Sequence, residues 1–435
     1  MASLKEKVAA LRRSPMAGNF LVYSLDFSLK IVVQLGYFIV ISRALGVAGY
    51  GLFASVAAIS MLATTFVGIG AEHVLIRRVA RDGTPFALAL GNAMTAMAVT
   101  LPVLVPLAVL SALWLGLEGL TLTAVLLIVL ADLGPAKAIN LAMLAFQSRE
   151  MARPQFVLNI LTSVLKLAAA LGAYLLVEDL TLELWGWWYA GSLTVAGAFS
   201  LLYLFIKLGR PKFAFYPRDM GDGFIYSLEF ASMAALRDLD KPVVADTLGP
   251  AAAGSYTAAF RLVDTSCVPI RALLRTTYVR YFHAGGESLE AALTLAKRVL
   301  PIMIGMAVVL GAGLLIGAGF VPWLLGAEYE PAVPIIRWMA VYPLILGLSS
   351  MGADMLRGLN LQRERLVVML LTTVTYVPMI WAGTQIYGAE GAAIARILSQ
   401  GFLLIATGVI IWRVARRLRA APPDSAKGSE PSPAE

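Results

Sequence analysis

From about residue 20 to about residue 412 the sequence returns repeatedly to apolar stretches of the length a helix needs to cross a bilayer, about 20 residues each. No stretch is left over for a soluble domain. Twelve spans are expected, at about 20–42, 50–70, 86–115, 119–146, 154–177, 184–206, 221–244, 252–272, 298–325, 331–356, 366–387 and 391–412. They are read as helices because a backbone facing lipid must satisfy its own hydrogen bonds, and no alternating segments of barrel length occur. With 59% hydrophobic and 14% charged residues, the chain lies well outside the composition of soluble domains, about 45–50% apolar.

Basic residues give the expected orientation, because Lys and Arg in short loops are retained on the cytoplasmic side. Lys5, Lys7, Arg12 and Arg13 precede the first span, and alternate connections hold Arg77, Arg78 and Arg81, then Arg149 and Arg153, then Lys207, Arg210, Lys212 and Arg218. The pattern continues to Arg413, Arg416, Arg417 and Arg419, whereas the intervening loops hold Glu118, Glu178, Asp179, Glu183, Glu328, Glu330 and Glu390. A multi-pass protein of the cytoplasmic (inner) membrane with both termini cytoplasmic is therefore expected. The net charge of +8 is spread over these loops, so anionic headgroups rather than nucleic acid are the expected partner. The first span is too long, and too interrupted by Asp26 and Lys30, for a cleaved signal.

Cys267 stands alone, which excludes an internal disulfide and favours a small buried apolar residue. His73 and His283 fall near expected cytoplasmic helix ends with no ligand spacing around them, so no metal and no cofactor are expected. Glu72 is expected at the membrane interface. The tail, residues 416–435, is rich in Pro, Ser and Ala and is expected to be disordered.

An internal repeat organises the rest. A shift of 203 residues without a gap places Tyr23, Ser24, Leu25, Asp26 and Phe27 on Tyr226, Ser227, Leu228, Glu229 and Phe230. It also places Gly46 and Gly51 on Gly249 and Gly254. These glycines are expected to end one helix and turn into the next, where glycine supplies positive φ or close approach. The chain then divides into six-helix halves, 1–210 and 211–415, inserted in the same direction. The architecture expected is all-α: two pseudo-symmetric six-helix lobes around a central cavity, with a substrate site near the midplane.

Tyr23, Asp26, Lys30, Gln34 and Tyr37 fall within an arc of about 80° on the first span, one polar face. The seventh span repeats the stripe as Tyr226, Glu229, Met233, Arg237 and Asp240. A charge at mid-bilayer costs about 2.5–3.5 kcal/mol on insertion scales, so such residues usually face a bundle interior or a water-filled cavity. Asn159, Ser163 and Lys166 share a face of the fifth span; Asp132, Lys137 and Asn140 surround Pro135 in the fourth; Arg261 and Asp264 are close enough in sequence to pair. The plainer alternatives are a neutralised Asp26–Lys30 pair, and Arg337 and Arg396 snorkelling to the surface.

Taken together, "SRALGVAGYGLF" after the first span, "DTLGPAAAGSY" after the seventh, "FQSRE" before the fifth and "YGAEGAAIARILSQ" entering the twelfth resemble one family over residues 17 to about 415. It is the polysaccharide and O-antigen flippase branch of the multidrug/oligosaccharidyl-lipid/polysaccharide exporter superfamily. The resemblance implies two six-helix lobes in a V and movement of undecaprenyl-pyrophosphate-linked sugars between leaflets, as in lipopolysaccharide and exopolysaccharide synthesis. It supplies no invariant catalytic group, and an enzyme is not expected. For such cargo Lys30, Lys166, Arg237 and Arg261 are expected to compensate diphosphate charge, with Tyr23 and Tyr226 against sugar rings. Asp26, Glu229, Asp240 and Asp264 are expected to hold those cations or to bind a proton or sodium ion. The expected partners are the polyprenyl-pyrophosphate-linked glycan, membrane lipids and polysaccharide assembly proteins. A small-molecule exporter of the multidrug and toxin extrusion type stands as the alternative; a membrane-embedded glycan polymerase or ligase has little room in the short outer loops.

Overall fold

The computed structural model describes the backbone of residues 15–420 and the side chains of residues 29–416. The side chains of Tyr23 and Asp26, and the tail from 421 on, lie outside the described residues. Among the described residues there is no strand, and eight helices are long and apolar enough to cross a membrane. Helix α1 is Pro15–Thr64 and α16 is Gln362–Ala420. At 1.5 Å per residue, a straight helix of either length would be at least about 75 Å long, more than twice a bilayer core. Each is bent instead: α1 at Gly46 (φ 65°, ψ 175°) and α16 at Tyr387 and Gly388.

Between them run α2 (Ala71–Ala80), α3 (Phe86–Trp114), α4 (Leu122–Ala131), α5 (Lys137–Gln147), α6 (Ala152–Leu176) and α7 (Leu182–Leu208). After these come α8 (Asp219–Asp238), α9 (Asp240–Leu248), α10 (Pro250–Ser266), α11 (Val268–Glu287), α12 (Leu289–Gly317), α13 (Val321–Leu325), α14 (Ala332–Trp338) and α15 (Tyr342–Gly358). The seventh and eighth expected spans correspond to α8–α9 and α10, which are not among the apolar eight.

Two helices are irregular where the sequence leads one to expect continuity. The second span ends at Thr64 rather than near 70, because Gly68, Ile69 and Gly70 all adopt positive φ before α2 begins. Gly70 lies so close to Gly223 that a Cβ would collide with its carbonyl oxygen. The fourth span contains a π-helical turn, Asp132–Ala136, between α4 and α5. Pro135 lies within it and cannot donate a backbone hydrogen bond, and α7 approaches the turn through Gly197, whose missing side chain leaves room for Pro135.

The chain forms two compact units. The first comprises residues up to 261 together with 317–335 and 380–392. Within it α6 packs along α1, and α4 and α6 pack against α7. The segment 317–335 is strapped to α1 by polar bonds: Arg43 donates to the carbonyls of Leu324 (2.8 Å) and Trp323 (2.7 Å), and Tyr329 Oη donates to Ser42 O (2.9 Å). Elsewhere in this unit the 209–218 connection is tied to α3, with Lys212 N–H on Ala87 O (2.8 Å) and Tyr216 N–H on Asn92 Oδ1 (2.8 Å). Beside it Arg77 pairs with Asp222 (2.7 Å) and Arg78 with Asp219 (2.6 Å). Hydrogen bonding to these carboxylates raises both guanidinium pKa values.

The sequence repeat is visible in the backbone of this unit. Gly249 (φ 87°, ψ 168°) has the conformation of its counterpart Gly46. Gly51 has no room for a Cβ because Pro250 O occupies that space, and Gly254 has none because of Val47 O. Val47 and Pro250 are themselves 203 residues apart, so the contact is reciprocal.

The second unit comprises 262–316, 336–379 and 393 onwards. Its core joins Ile270, Tyr281, Met303, Met351 and Met355 where α11 packs on α15, with Gly285 and Gly358 in backbone contact. Cys267 is buried. Arg396 does not snorkel: it is 2% exposed, 5.6 Å from the ring centre of Tyr376.

Candidate functional site

Helices α1, α6, α7 and α10 and the π turn bring three further charges of the first unit within reach of Lys166. Lys30 Nζ, on α1, donates to Asn159 Oδ1 on α6 at 3.3 Å. Two turns further along α6, Lys166 places its ammonium 4.9 Å from the ring centre of Tyr189 on α7. The Tyr189 hydroxyl donates in turn to Asp132 Oδ1 at 2.6 Å. Lys166 lies within electrostatic reach of Asp132, Arg261 and Lys30. Lys166 thus has one carboxylate and two further cations within reach. Among the described residues Lys166 and Asp132 have no ion-pair partner within 4 Å, so Tyr189 separates them and touches both.

An aromatic wall backs the cluster. Trp185 is fully buried, and its ring centre lies 6.2 Å from Tyr37, 5.8 Å from Phe53 and 5.9 Å from Tyr189. Its indole N–H has no acceptor among the described residues, an unmet donor beside the basic groups. Such a surface can receive an anion on its cations and pack a ring on its aromatics.

Of the residues expected from sequence, Lys30, Lys166 and Arg261 come together here. Tyr226 and Glu229 lie elsewhere in the unit: the Tyr226 ring is 5.8 Å from His73, and Glu229 acts electrostatically on the same imidazole. Arg237 occupies the exposed last turn of α8. Asp240 is fully buried, accepting from Tyr256 Oη and from the Lys241 N–H (3.0 Å), while Lys241 Nζ is paired with Asp238. In the second unit Asp264 is held by Arg271, whose Nη1 also lies 3.3 Å from its Oδ2. Glu72, expected at the interface, is instead 4% exposed and bonded to Lys137 at 2.5 Å; the helix break at 65–70 turns it inward. Trp185 and Tyr189 carry no sequence signal of a site, since an aromatic run at the start of a span equally suits the membrane interface.

The pattern described as "Polysaccharide biosynthesis protein" matches residues 16–271, more than half of the chain. The chain belongs to the polysaccharide biosynthesis protein family. The family match agrees with the resemblance read from the sequence, and, among the described residues, eight helices of this family member are long and apolar enough to cross a membrane. Its fold is that of solved MATE proteins. An inward-facing multidrug resistance MATE family transporter is similar at 18% identity and a TM-score of 0.71, over 91% of this chain and 94% of that one. The outward-facing form of a multidrug resistance MATE family transporter gives 17% identity and a TM-score of 0.63, over 94% and 98%. A MOP superfamily transporter from Pyrococcus furiosus, described as having a binding pocket of reversed polarity that suggests a different function, gives 19% identity and a TM-score of 0.62, over 94% and 97%. No curated protein sequence matches this polysaccharide biosynthesis protein.

Proposed function

We propose that the chain moves a lipid-linked, anionic saccharide, of the undecaprenyl-pyrophosphate type, across the cytoplasmic membrane by alternating access. The observation that supports this reading is the approach of Lys30 and Arg261 to Lys166 beside an aromatic wall. In a low-dielectric setting basic groups so placed favour a diphosphate over a cationic drug. The Tyr37 and Tyr189 rings suit a sugar attached to it. The likeness to MATE structures favours a second reading, small-molecule export, and the two are separable by experiment.

The test uses proteoliposomes holding the full chain. A fluorescent polyprenyl-pyrophosphate oligosaccharide should become accessible in the opposite leaflet, and the triple substitution Lys30→Ala, Lys166→Ala and Arg261→Ala should abolish this while the protein remains monodisperse. Lys166→Arg should retain part of the rate. Movement of the labelled lipid by the triple variant at the wild-type rate, or export of a cationic dye in place of it, would overturn the proposal.

A further inference from the structure

The connection between the two sequence halves runs from the end of α7 to the start of α8, and from Lys207 to Arg218 it reads KLGRPKFAFYPR, four cations with no acidic residue among them. The first carboxylates beyond it, Asp219 and Asp222, are occupied by Arg78 and Arg77. Among the described residues Arg210, Lys212 and Arg218 have no ion-pair partner, and all three are exposed. Two aromatic rings share this surface with them: Phe213 is 80% exposed and Phe215 44%.

The backbone imposes that exposure. Residues 209–216 form neither helix nor strand, yet three ties fix them to α3: the Lys212 N–H on Ala87 O, the Lys212 carbonyl oxygen seated where a side chain at Gly91 would be, and the Tyr216 N–H on Asn92 Oδ1. The Arg78 guanidinium lies 4.4 Å from the centre of the Tyr216 ring, so this third aromatic of the segment is held against the protein while Phe213 and Phe215 are not.

The same ties set the depth. Helix α3 has 29 residues and is long and apolar enough to cross a membrane. At 1.5 Å per residue it measures about 43 Å, against about 30 Å of hydrocarbon, so its end turns lie at headgroup level. Ala87, Gly91 and Asn92 belong to its first two turns. Water alone would hydrate the cations but not two phenyl rings; a bilayer boundary receives both, the cations on phosphates and the rings on acyl chains.

We propose that residues 210–218 are a docking surface for anionic phospholipid. Phe213 and Phe215 enter the acyl region just below the headgroups, and Arg210, Lys212 and Arg218 meet the net negative charge of the headgroups around them. Charge spread over all the basic connections would attract such lipids diffusely; a pinned segment that sets two rings among its cations makes one site. The site does not depend on which cargo the chain carries.

Native mass spectrometry of the full chain, taken from detergent holding equal amounts of phosphatidylglycerol and phosphatidylcholine, counts the lipids of each kind that stay bound. The wild type should retain phosphatidylglycerol by a ratio of at least ~10-fold, and Arg210→Gln, Lys212→Gln and Arg218→Gln together should bring the ratio close to one. All three side chains are exposed and the ties to α3 use the backbone of Lys212 and Tyr216, so the melting temperature should not fall. Arg363→Gln, Arg413→Gln and Arg416→Gln remove the same formal charge from exposed positions outside the segment and should leave the ratio unchanged. A nitroxide on Phe213→Cys, with the native Cys267 buried, should collide more with oxygen than with a water-soluble nickel chelate in phosphatidylglycerol nanodiscs. The proposal is overturned by equal retention of the two lipids in the wild type, by equal loss of the preference in the two triple variants, or by a label at 213 that meets the nickel chelate more than oxygen.

Discussion

Gly51 and Gly254, 203 residues apart in sequence, hold equivalent places in one close contact: Pro250 O fills the space a Cβ on Gly51 would need, and Val47 O the space a Cβ on Gly254 would need. Gly51→Ala and Gly254→Ala should therefore each destabilise the protein by about 1–3 kcal/mol, the usual cost of overpacking. Gly191, inside α7 with nothing within 4 Å of an added Cβ, is the control: alanine there should be neutral or stabilising by up to about 1 kcal/mol. Unfolding of the detergent-solubilised variants ranks the three, and equal stability for all of them would contradict the close approach.

The Glu72–Lys137 pair is nearly sealed from solvent, at 4% and 2% residue exposure. Removing one partner leaves a buried charge, so Glu72→Ala or Lys137→Ala alone should cost about 3–5 kcal/mol, whereas Glu72→Leu with Lys137→Met should recover most of that. Arg77→Ala at the more exposed pair with Asp222 should cost no more than about 1 kcal/mol. A double-mutant cycle on denaturation midpoints checks both statements.

Burial lowers the pKa of His73 below its ordinary 6.5, against the raising effect of Glu72 and Glu229 and with the help of Lys137. The folded chain thus binds fewer protons at this position than the unfolded chain. Its contribution is full above about pH 6.5 and falls as the pH drops toward the folded value. Melting temperatures between pH 5 and 8 should decline on the acid side, and the decline should be shallower in His73→Phe, which keeps the stack on Phe230. Parallel curves for the two proteins would assign the acid sensitivity to other groups.

Tyr189→Phe keeps the ring beneath Lys166 but removes the donor to Asp132. The carboxylate loses a bond of 2.6 Å, and a stability loss of about 1–3 kcal/mol is expected. Thermal unfolding of Tyr189→Phe beside Tyr189→Leu, which removes the ring as well, separates the two contributions.

The repeat was readable in the sequence because glycines at positive φ and an acidic residue in an apolar helix leave marks that survive divergence. Lys30, Asn159 and Lys166 were readable for a similar reason, since helical spacing puts Lys30 on the polar stripe of the first span, sets Asn159 and Lys166 on one face, and leaves Lys166 without an acidic partner on its own helix. The contact between Glu72 and Lys137 was not, because it joins residues 65 apart and depends on a helix break and a π turn that no local pattern announces. Hydropathy likewise carries a span on to residue 70, past the point where three successive positive φ values end it. Tyr189 escaped notice because one phenol can serve a lipid headgroup or a buried carboxylate, and only tertiary structure separates the two.

The mutual placement of Gly51 on Pro250 and Gly254 on Val47 is the arrangement found in isologous dimers, where what one surface does to its partner is done back to it. A half-length ancestor with this hairpin would have been self-complementary there, able to associate in the membrane before any duplication fused two copies into one polypeptide. A fused chain is free of that constraint, and its two halves differ in charge along the stripe, with Lys30 in one half at the position of Met233 in the other.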